Sequence, residues 1–493
     1  MFPDTVHLPA RNVTRLPAAL RAAMWASSVA SGWREVAAAI LRAMGFMRIC
    51  IMLAGLLCAG TQAIWADTHY VAHNGQSPAG TFLDWTTAAS NIQDAIDVTS
   101  ANDTVLVSNG VYQTGGTVIS SLTNRVAITS AITVRSANND PTNTIIMGAW
   151  DPATNGPAAV RCVYMTSGSL IGFTLTNGAT LATDTLAIGA GGGLYANTYH
   201  TVSNCVITGN AAYQAGGGAN YGAFYNCVIS ANRVIGDAGS YGGSGLYLSY
   251  AYNSTIIGNY GRGARDARIY NSSIISNTGA GVYKCVVENS TFIGNKGRGA
   301  ESCTTNQSNY IKNCSFIGNE TSGNGGGAYS CTLYNCLIIG NTTPGYGGGV
   351  SESDVYNSTI VGNFAGTAGG GTSWGKMYNS IVYFNATTNG GIYSNCWPGS
   401  FYYSCTAPTN GMSASNVEGN PLFINNGSGY GTNNFVAGDY HLSAGSPCIN
   451  TGTNSSWTTT YPLDLDGRQR IRYGTVDMGA YEFINSGTIF GFH

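Results

Sequence analysis

Residues 312–341 read KNCSFIGNETSGNGGGAYSCTLYNCLIIGN, and the reading of this stretch decides the shape of the chain. It opens and closes on one phrase: Asn, Cys or Ser, a variable residue, a large apolar residue, two more, then Asn. The phrase recurs as SNCVITGN (203–210), YNCVISAN (225–232), YNSTIIGN (252–259), YNSSIISN (270–277), ENSTFIGN (288–295), YNSTIVGN (356–363) and YNSIVYFN (378–385). Its first Asn falls at 204, 226, 253, 271, 289, 313, 335, 357 and 379, so the copies are 22, 27, 18, 18, 24, 22, 22 and 22 residues apart. Such a spacing fits one turn of a solenoid rather than a propeller blade. Val, Ile, Thr, Tyr and Phe fill the phrase while Gly and Asn fill the gaps, so each copy is a short strand bounded by turns.

Aligned in register, the copies form columns. Position four is Ile207, Ile229, Ile256, Ile274, Phe292, Phe316, Ile338, Ile360 and Val382, always large and apolar and therefore inward. Position two lies on the same face, two residues earlier. It holds only Cys or Ser: Cys205, Cys227, Ser254, Ser272, Ser290, Cys314, Cys336, Ser358 and Ser380. A second small column follows the glycine runs: Ser249, Ala267, Cys285, Cys303, Cys331, Ser353 and Gly375. Large beside small fills a narrow core at close packing. The closing Asn and the Gly runs are expected to supply positive φ at the corners. Stacked Asn side chains can also hydrogen-bond from coil to coil. These columns predict an all-β fold, a right-handed parallel β-helix, with right-handed winding the default for parallel crossovers. Coils about 4.8 Å apart make a dozen of them a rod of roughly 60 Å. Its open ends need covers.

Charged residues are only 9% of the 493, against about 25% in ordinary domains. The formal net charge is −2, so no bulk field draws nucleic acid or an anionic membrane. Residues 1–46 carry five arginines, much Ala and only Asp4 and Glu35 as acids. They read as a targeting segment or as an extension arising from a start codon placed too early. Residues 47–66 read as a signal peptide: Met47-Arg48, an apolar run over 49–60, then small residues before Asp67. That run is too short to span a bilayer, so no transmembrane segment is expected in the mature chain and secretion is. Residues 67–160 hold the N-terminal cap and first coils. Ser90-Asn91-Ile92-Gln93 fits a capping box ahead of a short helix that plugs the rod. Coils over 161–408 form the body. A module of different vocabulary spans 409–483, and 484–493 are a tail.

The pairing of FIGN or IIGN with GGGAY resembles the repeat of polymorphic outer membrane proteins. IQDAID followed by DTVLVSNGVY (103–112) is similar to the opening of pectin-lyase-like β-helix proteins. NPLF, GDYHLSAGSPCINTG, DLDGRQR and VDMGAYEF, within 420–483, closely resemble the choice-of-anchor Q module of secreted bacterial right-handed β-helix proteins. Together these resemblances cover nearly everything after Asp67. They imply a pectin-lyase-like solenoid at or beyond the cell surface.

Chemistry is harder to find. Eleven cysteines remain after the signal segment, and several stack in columns within disulfide reach. Alternation of Ser with Cys in the same columns reads instead as small core filler. No CxxC occurs and His is scarce, so no zinc site, metal or cofactor is expected. Asp464-Leu465-Asp466-Gly467 begins like a calcium loop without its later ligands; carboxylates pairing with Arg468 or Arg470 are the alternative. One charged cluster stands out. Arg262, Arg265, Asp266, Lys284, Arg298 and Glu301 fall on consecutive coils, with Arg262 and Arg298 in one column and Arg265, Tyr283 and Glu301 in the next. Cations and a carboxylate on a β-helix face are what a polysaccharide lyase would use. The same set also makes a solvated ion-pair network. Lastly Tyr225, Tyr252, Tyr270, Tyr334, Tyr356 and Tyr378 share a column that Glu288 and Lys312 interrupt, so the column is expected to face solvent. Tyr252 and Tyr270 beside the charged cluster could meet sugar rings, or the tyrosines could simply support one another. No catalytic set converges. The expectation is a secreted or cell-surface, non-catalytic rod serving adhesion or contact with a polysaccharide or surface glycan. The alternative is a carbohydrate-active enzyme, a lyase or hydrolase, acting on a β-helix face.

Overall fold

The computed structural model describes residues 66–484, apart from 75, 151–154, 237–241, 306–307, 392, 410–411 and 413–414. The expected extension, signal segment (but for Ala66) and tail (but for Ile484) lie outside the described residues.

Three long sheets of 14, 13 and 12 strands wind around one core, here sheets 1, 2 and 3. Nearly every strand pairs in parallel with its counterpart one coil away, so the body is a parallel β-helix. Each coil passes from sheet 3 to sheet 1 to sheet 2, as in Ala264–Arg265, Arg268–Tyr270 and Ser273–Ile275. The repeated phrase runs from the end of the sheet 1 strand through the sheet 2 strand. Ile256 pairs with Ile274, Ile274 with Phe292 and Phe292 with Phe316, as the columns require. All of position four is buried. The Phe292 and Phe316 rings stack at 4.3 Å.

The corners correct one expectation. Positive φ falls on the first Asn of the phrase, from Asn204 (φ 53) to Asn379 (φ 48), not on the closing one. The closing Asn points inward instead. Asn210, Asn232, Asn259, Asn277, Asn295, Asn319, Asn341, Asn363 and Asn385 are buried. Each closing Asn donates its side-chain N–H to the Oδ1 of the next; Asn277 to Asn295 is 2.9 Å. That Oδ1 also accepts the backbone N–H of the coil before, at 3.1 Å. A corner amide that no strand can pair is thus satisfied inside the core. The Cys/Ser columns act likewise. Cys227 N–H donates to Ser254 Oγ, and Ser254 N–H to Ser272 Oγ, both at 3.0 Å. Cys285 N–H reaches Cys303 Sγ at 3.3 Å. All eleven described cysteines are buried free thiols, so the columns are small core residues that also accept corner amides.

The helix Ile92–Asp97 covers the first coil, burying Ile92, Ala95 and Ile96. Its cap is Asn91, whose side chain accepts from Asp94 N–H, rather than Ser90. Gln93 Oε1 accepts from Ala127 N–H at 2.7 Å and so pairs an amide of a sheet 3 strand.

After Pro408 the chain turns back along the rod's flank. Arg470 is fully buried there. It donates to Asn335 Oδ1 (2.9 Å), Asn357 O (3.1 Å) and Ala480 O (3.0 Å), and pairs with Glu482 at 3.0 Å. Asn379 and Thr453 exchange two hydrogen bonds, each side-chain amide to backbone. Phe435 lies over Gly340 and Gly362, where a Cβ would stand 2.6 and 2.2 Å from its ring. The module is therefore seated over the outward face of sheet 2, from the first-Asn column to the corner glycines, where Leu337, Ile339, Val361 and Ile381 pack against it.

Candidate functional site

The charged cluster forms at the junction of sheets 3 and 1, on three consecutive coils, the two of 18 residues and the one after them, which carries Arg298 and Glu301. Their turns between the closing Asn and sheet 3 are the shortest in the rod. Arg265, Tyr283 and Glu301 pair in register as expected. Glu301 lies between Arg298 (3.4 Å) and Arg262 (3.9 Å). Asp266 stands one coil from Lys284 at the same positive-φ corner, yet its carboxylate takes Arg265 Nε at 3.0 Å. Tyr283 is the hub: Arg262, Arg265 and Lys284 lie over its ring at 4.3, 5.0 and 5.4 Å. Arg298 donates to Asn324 O and covers Tyr329 at 4.6 Å. Both carboxylates are thus engaged by guanidinium groups, and the cations are spread over tyrosine faces.

Tyr252 and Tyr270 stand apart from this cluster, across the corner on sheet 1. Tyr225, Tyr252 and Tyr270 stack at 4.8 and 5.1 Å, with planes within 11° of parallel. Their faces are turned to one another along the rod, which leaves ring edges and hydroxyls outward. A second pair joins them. Tyr199 and Tyr250 stack at 4.0 Å, and Tyr250 stands at 79° to Tyr252. Arg268 borders both pairs; burial works against its charge, but Tyr270 and Tyr250 outweigh it and raise its pKa. Tyr199 and Tyr225 remain 42% and 37% exposed. Sequence reading passed over Tyr250 and Arg268, although both lie two residues before the column and so on the same outward face.

The lower half of the column departs from expectation. Tyr334, Tyr356, Tyr378 and Tyr402 stack at 4.8–4.9 Å, but the module covers the first three. Trp457 rests on Tyr356 and Tyr378 at 4.9 and 5.4 Å, and Tyr461 on Tyr334 at 4.8 Å. Burial pushes the Tyr334 phenol up to about 12. Between the halves, Glu288 takes Lys312 at 2.6 Å and the Tyr310 hydroxyl at 2.6 Å.

The module carries its own polar cluster. His441 bridges Asp439 (2.5 Å) and Asp466 (2.8 Å), and Arg468 also reaches Asp466 at 2.9 Å. Burial lowers the His441 pKa, but the two carboxylates outweigh it and hold it above the ordinary range. Asp464 is committed to its own turn, accepting from the N–H groups of Asp466, Arg468 and Glu482. Among the described residues, no group of three or more His, Cys, Asp or Glu is placed to hold a metal ion. No described helix is long and apolar enough to cross a membrane.

No family model matches the chain, and no curated protein matches it. Among solved structures it is similar to pectate lyase Pel9A, at 16% identity over 85% of this chain and 97% of that one, with a TM-score of 0.36. It is similar to XylC in its complex with xylose, at 11% identity over 85% and 98%, TM-score 0.40. The A-module of the mannuronan C-5 epimerase AlgE6 of Azotobacter vinelandii matches at 12% identity over 67% and 95%, TM-score 0.30. Likeness at this level carries no argument about ligand or reaction. The fold rests on the sheets themselves.

Proposed function

We propose that this chain is a non-catalytic, secreted or cell-surface β-helix rod that contacts glycans through the open tyrosines of sheet 1. One observation carries the reading. The tyrosine column is a regular stack whose lower half is already engaged by aromatic rings of the module, while Tyr225, Tyr252 and Tyr270, with Tyr199, Tyr250 and Arg268, offer the same surface uncovered. Ring edges, phenol hydroxyls and a guanidinium suit a ligand with alternating C–H and hydroxyl groups. The resemblance of 420–483 to choice-of-anchor Q modules supports a place outside the cell.

A glycan array tests this. Wild type should retain one class of acidic or neutral polysaccharide, and Tyr252→Ala with Tyr270→Ala should lose it. An array without hits counts against glycan contact. Release of unsaturated or reducing ends, abolished by Lys284→Ala or Arg265→Ala, would replace this reading with a lyase or hydrolase on the Arg262–Glu301 face.

A further inference from the structure

A cleft of about 380 Å³ opens low on the rod, lined by Asp354, Trp374, Gly375, Lys376, Pro398, Gly399 and Ser400. Trp374 occupies a sheet 3 to sheet 1 corner where the backbone must take positive φ (48°). Earlier coils put Tyr221 and Leu248 at this corner, and then Asp266, Lys284, Ser302, Ser330 and Glu352, so the fold accepts an aromatic there without requiring one. A bulky ring at such a φ is costly, and this one is 42% exposed, tilted against Tyr346 at 4.8 Å. Its indole N–H has no hydrogen-bond partner among the described residues. Asp354 and Lys376 are register neighbours on sheet 1, yet no ion pair joins them among the described residues. The cleft thus presents an apolar ring with one side on Tyr346, a donor, an ammonium and a carboxylate, and among the described residues no hydrogen bond or ion pair holds the three polar groups. Its volume falls in the range of small-ligand sites.

We infer that the cleft is a second glycan contact, separate from the tyrosines. It takes one pyranose-sized ring against the Trp374 indole, with Asp354 accepting from ring hydroxyls and Lys376 facing a hydroxyl or a uronate carboxylate. Only the ligand class rests on the function proposed above; the site is built from other residues.

Titration calorimetry with xylotriose and trigalacturonate on the full chain tests it. Trp374→Ala should weaken trimer binding about tenfold, while Trp374→Phe keeps most of it. Lys376→Ala should cost the uronate trimer several-fold more than the neutral one. Wild type binding neither trimer overturns the cleft, as does Trp374→Ala binding both like wild type. Loss in Tyr252→Ala with none in Trp374→Ala discards the cleft and keeps the tyrosine reading. Loss in Trp374→Ala with none in Tyr252→Ala keeps the cleft and discards that reading.

Discussion

Tyr252 and Tyr356 hold the same position in the same column, five coils apart. Each stacks on the next tyrosine, at 5.1 Å for Tyr252 on Tyr270 and 4.9 Å for Tyr356 on Tyr378. They differ in what lies outside them. Trp457 rests across Tyr356 at 55°, and no such ring crosses Tyr252 from the module. The stack therefore does not depend on being covered, since it forms in both settings from coil spacing and ring area alone. Covering is a separate event, made by a ring that crosses the row of edges at a tilt. The lower half is an intramolecular example of what the upper half can accept.

The largest expected effect comes from releasing the cover. Arg470→Ala leaves Glu482 buried without its partner, a loss of about 3–5 kcal/mol. Denaturant unfolding should show it, with a red-shifted tryptophan signal as Trp457 meets water; an unchanged midpoint would mean that the module is held by other contacts. Trp457→Ala is milder, about 2 kcal/mol for a half-buried ring, below the range for full burial. It also unveils Tyr356 and Tyr378, so glycan retention should rise; a fall would break the equivalence of the two halves. Next, Tyr356→Ala should cost about 2 kcal/mol by unfolding, whereas Tyr252→Ala should cost under about 1 kcal/mol, the scale of a cross-strand pair. Equal costs would mean that the cover adds nothing to the stack.

The smallest effect is one of pH. The folded pKa of His441 is raised, so its contribution is complete below its unfolded pKa near 6.5 and fades as pH rises through the folded value. Burial also raises Glu482, which acts in the same sense. The module should melt earlier at pH 8.5 than at pH 6. His441→Gln should reduce that slope to the part that Glu482 sets and leave the rod's own transition in place. A slope unchanged by the substitution assigns it to Glu482 or another group.

Much of this was legible in the residues. The columns named the core, the register and the winding because an identical phrase at each coil leaves only one alignment that buries Ile256, Ile274 and Phe292 together. The register of Arg265, Tyr283 and Glu301 followed by counting. The coil-to-coil hydrogen bonding of stacked Asn was expected and is found, but the positive φ was given to the closing Asn, because a residue type favoured at positive φ is also one whose amide can serve as donor and acceptor at once. Repetition alone does not say which of two Asn per phrase does which. The cover over Tyr334, Tyr356 and Tyr378 was hidden for another reason. Arg470 meets Asn335 across 135 residues of chain, and nothing periodic in the module sets that register. Trp374 went unnoticed because its column was read for small inward residues one position away.

The hydrogen-bonded Asn row also dictates where this chain can grow. From first to closing Asn the step is six positions in every copy, as in 271 to 277 and 357 to 363. From closing Asn to the next sheet 3 strand the interval is 5 residues for Asn277 to Val282 but 14 for Asn232 to Leu246. Length variation gathers chiefly on that side, where no side-chain row must stay continuous. This flank, where Asn232 and Leu246 already stand 14 positions apart, is therefore the natural port for displaying new sequence, whereas the short turn at Gly279 is hydrogen-bonded to Gly261 and Gly297 on the two neighbouring coils.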